Sequence, residues 1–169
     1  EILNIYDNLL TGPIPNFSKV PVLGQLWADG NQLSGEIPDF DKIPEMASMY
    51  LTRNNFSGKL PLFSHIPKIQ FLDASFNQFT GSLPNFSNLP TIYILGFSNC
   101  NLSGEVPDFN FPKIMSLYLR NNNFSGSIPR FSKLKNLFFL ELGGNKLTGS
   151  IPDFADLPEL NSVWLYKNQ

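Results

Sequence analysis

Residues 46–69 read MASMYLTRNNFSGKLPLFSHIPKI. Met46, Met49 and Leu51 precede Asn54 in the order apolar-x-x-apolar-x-apolar-x-x-Asn, and the alternation of Met49 and Leu51 is that of a short strand with one buried face. Beyond Asn54 come Phe56, Ser57 and Gly58, where glycine fits a backbone angle that a side chain forbids. Leu60 and Pro61 follow; a proline has no amide to donate and argues for an extended return, not a helix.

The same order recurs along the whole chain. Gly12, Gly35, Gly58, Gly81, Gly104, Gly126 and Gly149 stand 23 residues apart, with one interval of 22. A unit this short cannot bury its own apolar face, so stability must come from stacking neighbours into a solenoid. The strand pattern repeats as Leu23/Leu26/Ala28, Ile69/Leu72/Ala74, Ile114/Leu117/Leu119 and Leu137/Leu140/Leu142, which predicts eight parallel strands on one side. Three positions after the second strand leucine lie Asn8, Asn31, Asn54, Asn77, Cys100, Asn122, Asn145 and Asn168. A turn out of a strand leaves carbonyls pointing inward, and a buried Asn amide can donate to them between adjacent coils. Cys100 takes the place of one Asn as a weaker donor, which gives it a structural place inside the stack. Phe17, Phe40, Phe63, Phe86, Phe109, Phe131 and Phe154 form a second column, read as a stacked aromatic spine on the back of the solenoid.

Composition narrows the function. A net charge of -2 with scattered Lys and Arg gives no field for a phosphate backbone, so nucleic acid is not an expected partner. No run approaches the roughly 18 apolar residues that a bilayer span needs, and EILNIYDN is not a signal peptide. Any membrane attachment would therefore lie in segments outside these residues. Residues 1–169 read as a single domain of seven repeats of about 23 residues plus a partial one, with caps missing. Open ends expose apolar cross-sections, which leads to the expectation of a longer protein and of possible self-association through the uncapped ends.

The pattern L-x-x-L-x-L-x-x-N-x-L-[ST]-G-x-I-P, seen in ELGGNKLTGSIP around Asn145, resembles the plant-type leucine-rich repeat over essentially the whole chain. The resemblance implies a β-rich right-handed solenoid, placed by convention in the α/β class. Its parallel inner sheet would have about eight strands, and its outer turns would be extended or 3₁₀. It is similar to ectodomains of receptor-like kinases and receptor-like proteins, and to microbial surface proteins with such repeats. The chain departs from the plant pattern in lacking paired capping cysteines.

Positions flanking the buried strand residues form outward columns that vary while the framework repeats. The central column runs Asn4, Trp27, Tyr50, Asp73, Gly96, Tyr118, Glu141, Trp164. Aromatic rings with interspersed polar groups suit a peptide, protein or glycan contact surface. The candidate ligand-binding residues are Trp27, Tyr50, Asp73, Tyr118, Arg120, Glu141 and Trp164. Asn16, Asn55, Asn85, Asn101 and Asn123 head N-x-[ST] acceptors and are expected to point outward, where a secreted protein would carry sugar. Catalysis finds no motif: His65 reads as a solvated turn residue without a nucleophile nearby, and Asp39, Asp108 and Asp153 as turn caps. No metal cluster or cofactor motif is present. The expected function is non-catalytic recognition at a cell surface or outside the cell, by a receptor that binds its ligand on the inner sheet. The alternatives are a structural or adhesion protein and a polysaccharide- or ice-binding surface.

Overall fold

The computed structural model describes all 169 residues and contains no helix. Eight three-residue strands form one parallel sheet: Ile2–Asn4, Gln25–Trp27, Ser48–Tyr50, Phe71–Asp73, Ile94–Gly96, Ser116–Tyr118, Phe139–Glu141 and Ser162–Trp164. Each strand pairs with the next coil's equivalent without slippage, so Trp27 lies opposite Tyr50 and Tyr118 opposite Glu141. The expected inner sheet is therefore present with its columns aligned. The 41 buried apolar residues form one cluster running along the stack.

A second parallel sheet was not foreseen. It has seven strands, Thr11–Gly12, Gln32–Gly35, Asn55–Gly58, Gln78–Ser82, Asn101–Glu105, Asn123–Ser127 and Lys146–Thr148. Six of the seven repeat glycines close or sit within these strands and Gly149 directly follows the last, all at φ between 78 and 85°, an angle that strains any side chain. The chain then runs out through the Pro segment and comes back through two consecutive turns, as in Ile66 N to Phe63 O (3.3 Å) and Ile69 N to Ile66 O (3.1 Å).

Between the two sheets stands the Asn column. The Asn77 side-chain amide donates to Leu51 O of the preceding coil (3.0 Å) and to Ala74 O and Ser75 O of its own (2.9 and 3.3 Å). Its Oδ1 accepts the Phe56 amide of the preceding coil at 2.9 Å. Asn31, Asn54, Asn122 and Asn145 repeat this pattern. At the first coil Asn8 is exposed and bonds only to Ile5 O and Tyr6 O of its own coil. The Cys100 thiol reaches Ala74 O and Ser98 O at 3.8 and 3.5 Å. It has no oxygen for the Phe79 amide, which occupies the place that Phe56 has one coil earlier. Burial pushes this thiol up to about 11, so it stays protonated and structural.

The phenylalanine column is built differently from the expected spine. Its rings point into the core, and ring contact along it is made between Phe17 and Phe40 (6.4 Å) and between Phe63 and Phe86 (5.9 Å). Phe86 and Phe79 pack instead on Phe97. Six of the seven column members have φ of 46 to 54°. Left-handed backbone costs a residue with a Cβ about 1–2 kcal/mol, and burying the ring gives about 1.5–3 kcal/mol, so the ring holds the turn in place. The exception is Phe109, in the coil that is one residue short. Its amide bonds Pro107 O (3.0 Å) in place of the first turn, and Phe111 stacks on it at 4.7 Å.

Three outcomes are expected in urea unfolding. Asn77→Ala should cost about 3 kcal/mol by stranding buried carbonyls, against less than about 1 kcal/mol for Asn8→Ala. Cys100→Asn should gain about 1 kcal/mol by supplying the missing acceptor. Phe63→Ala should lose about 3–5 kcal/mol, and Phe63→Gly should be no worse, because glycine adopts the left-handed angle freely.

Candidate functional site

The outward columns of the eight-stranded sheet carry both tryptophans and Tyr6, Tyr50, Tyr118 and Tyr166, four of the five tyrosines. Packing fixes the interior columns and leaves these positions free, so their aromatic character is not a demand of the core. Two depressions form on this face.

The larger, about 530 Å³, runs diagonally across coils and is lined in part by Asp73, Ser98, Tyr118, Arg120, Phe139 and Trp164. Phe139 comes from the flanking column and bridges the other two rings, 5.1 Å from Tyr118 and 5.2 Å from Trp164, the latter edge-on. Asp73 accepts the Ser75 amide at 3.0 Å and lies over Gly96, where a Cβ would stand 2.5 Å from its Oδ1. Glycine at 96 is thus what lets the carboxylate lie flat and keeps the floor low. The Ser98 hydroxyl, on a residue 4% exposed, has no hydrogen-bond partner.

Five of the seven candidate residues, Asp73, Tyr118, Arg120, Glu141 and Trp164, line this groove. Glu141 corrects the expected exposure, being only 4% accessible. Arg120 Nη1 lies 3.4 Å from its Oε1, and burial pushes its carboxyl above the ordinary value against the pull of that guanidinium. Glu141 therefore positions Arg120 from below. Gly96 of the central column is buried as well, as are Ser75 and Ser98 two residues beyond Asp73 and Gly96. Trp27 and Tyr50 fall outside the groove and join Tyr6 and Asp29 in the second depression.

Arg53 and Phe76 were missed. They occupy the position just before the ladder residue, at φ of 53 and 58°, and the Arg53 guanidinium sits 5.8 Å from the Phe76 ring centre. Strand alternation stops short of this turn, so it gives no direction for either side chain. The recurrence of the slot one residue before each ladder Asn is the signal that would have located them.

Asn16, Asn55, Asn85 and Asn101 are exposed and Asn123 half-buried. Asn55, Asn101 and Asn123 begin strands of the second sheet, while Asn16 and Asn85 cap outer turns through the Ser18 and Ser87 amides. None lies on the eight-stranded sheet. Among the turn aspartates, Asp153 caps the Ala155 amide, but Asp39 reaches into the next coil. There Ser64 does stand beside His65, contrary to expectation: Ser64 Oγ and Asp39 Oδ2 lie 3.3 and 3.2 Å from the same ring nitrogen, Nδ1. A proton relay needs serine and carboxylate on opposite ring nitrogens, so this exposed cluster is not arranged as a triad.

The Leucine Rich Repeat family signature matches residues 68–89, 113–134 and 136–157. No curated protein matches the chain at the sequence level. Among solved structures, the plant peptide hormone receptor RGFR1 in complex with RGF2 is 33% identical with a TM-score of 0.91, covering 96% of this chain and 27% of that one. The Arabidopsis receptor kinase HAESA ectodomain in complex with an IDA peptide hormone is 31% identical with a TM-score of 0.90, covering 98% and 29%. A plant ice-binding protein is 26% identical with a TM-score of 0.70, covering 99% and 59%. The chain thus spans less than a third of the length of either receptor chain. With its period, Asn ladder and parallel sheets, the chain belongs to the leucine-rich repeat family.

Proposed function

We propose that the chain is a non-catalytic extracellular recognition module, part of a cell-surface receptor, that binds an extended peptide or protein segment across its eight-stranded sheet. The observation that carries this reading is the gathering of Tyr118, Phe139 and Trp164 beside Asp73 and Arg120 in one groove. Rigid rings give contact area at low entropic cost, and the flanking charges fix orientation. Two further observations support it. All five glycosylation acceptors lie away from this sheet, so sugars would leave it bare. The similar RGFR1 and HAESA structures are complexes with peptide hormones.

A second reading, a surface for ice or a periodic polysaccharide, is favoured by the polar second sheet and its column Thr11, Ser34, Ser57, Thr80, Ser103, Ser125, Thr148. Against it, Glu36, Lys59 and Glu105 interrupt the adjacent column, and three acceptor asparagines begin strands of that sheet.

Panning a random linear-peptide display library on the chain separates the two. Selected peptides should lose about thirtyfold in affinity on Tyr118→Ala or Trp164→Ala, the roughly 2 kcal/mol of an aromatic hot spot, and keep it on Thr80→Tyr. Peptides sensitive only to Thr80→Tyr, or arrest of ice recrystallisation abolished by that change, would establish the second reading instead. Secreted from plant cells, the chain should lose mass on enzymatic deglycosylation; an unchanged mass would assign the N-x-[ST] triplets to the repeat framework alone.

A further inference from the structure

The first three coils hold the second depression, about 430 Å³, walled by Tyr6, Trp27 and Tyr50 with one carboxylate, Asp29. Glu45, Glu141 and Asp156 pair with a Lys or Arg and Asp39 contacts the His65 ring, which leaves Asp29 without a counter-charge. Arg53, the basic residue where the third coil leaves the eight-stranded sheet, is turned onto Phe76. Asp73, one coil beyond Tyr50, also lacks a cation and holds only the Ser75 amide. Burial first, and then the charges of Asp73 and Asp29, push the Tyr50 hydroxyl above its ordinary value. Trp27 Nε1 is buried without a partner, so what the indole offers the depression is its π-surface.

Three electron-rich rings around an unpaired carboxylate disfavour an anion, and a neutral group can use Asp29 only as a hydrogen-bond acceptor, leaving its charge uncompensated. A cation answers both, through the ring quadrupoles and through direct pairing. We propose that this depression is a cation subsite that takes a Lys or Arg side chain of the peptide bound across the sheet, with Asp29 as counter-ion. The proposal rests on the peptide-binding reading above and adds a sequence requirement to it. Trp27 and Tyr118 stand four strands apart. At about 4.8 Å per strand and about 3.3 Å per extended residue, the basic residue lies roughly six positions from the one seated beside Tyr118.

The test uses the two tryptophan indole N–H signals in ¹H–¹⁵N spectra of the chain, assigned with Trp164→Phe. N-acetyl-arginine and N-acetyl-lysine methylamides should move the Trp27 signal saturably, and the neutral N-acetyl-norleucine methylamide should not. Asp29→Asn should weaken the response about tenfold with the thermal midpoint unchanged, while Asp108→Asn, on an outer turn, leaves it intact. Equal response to the norleucine amide, or full response in Asp29→Asn, would overturn the subsite. Tetramethylammonium binding more tightly than both amides would replace the peptide side chain by a free ammonium ligand. Selected peptides that bind Asp29→Asn as well as the parent chain would sink the subsite alone. Retained cation binding with no groove-dependent peptide would instead sink the recognition reading.

Discussion

Every other feature of the molecule depends on one side chain's ability to serve two coils at once. Where the backbone leaves the eight-stranded sheet it turns through a left-handed residue, among them Asp7, Arg53, Phe76, Asn99, Asn121 and Lys167, and the carbonyls before that turn face a core without water. Asn alone among small side chains offers two N–H donors and an acceptor in one plane. Asn77 uses all of this, binding carbonyls on both sides of the junction and the Phe56 amide below. Because half of these partners belong to the preceding coil, the bonds exist only in the stack. A single coil cannot satisfy its own turn, which is the polar counterpart of its inability to bury its own apolar face.

Fixing the interior in this way divides the exterior. Both sheets flank the same ladder, the eight-stranded one in register and the second staggered by two residues per coil, as in Ser34 opposite Asn55, yet they present opposite chemistry. The second sheet shows Ser, Thr, Asn and Gln with scattered charges, and three potential sugar sites. The eight-stranded sheet shows rings. A polar surface wets without consequence, whereas exposed aromatic area costs free energy unless something covers it. Nothing within a coil requires Trp164 to stand 47% exposed.

The fold was legible because the period places each column in one environment. The eight strands, the Asn ladder with Cys100 in it, and the positive-φ glycines followed from recurrence alone. The second sheet was not legible, since N-x-x-[ST]-G segments such as Asn55–Gly58 pair with their own copies and need no alternation of apolar residues. Left-handed phenylalanines were hidden for the opposite reason: Phe has no local preference for that angle, and only burial of the ring imposes it. The short interval was visible as spacing, but its absorption by Phe109 and Phe111 depended on packing. Alternation likewise gave the direction of the site residues and not what lies over them, so Glu141 pointed the expected way and is nonetheless covered.

That distinction between direction and cover explains the relief of the binding face. Adjacent positions in a column are one strand spacing apart, so each side chain leans on its neighbours, and a glycine leaves a place to lie down. Gly96 receives the Asp73 carboxylate, and Gly143 receives the Tyr166 ring, where a Cβ would come within 2.6 Å of it. Tyr118 stands between these low points and makes a wall with Phe139 and Trp164, while Trp27 and Tyr50 stand on the far side of Asp73. An alanine at either glycine would push its neighbour upright and fill the floor without touching the core. The shape that a ligand meets is therefore set by residues that carry no side chain, acting on the columns that carry the chemistry.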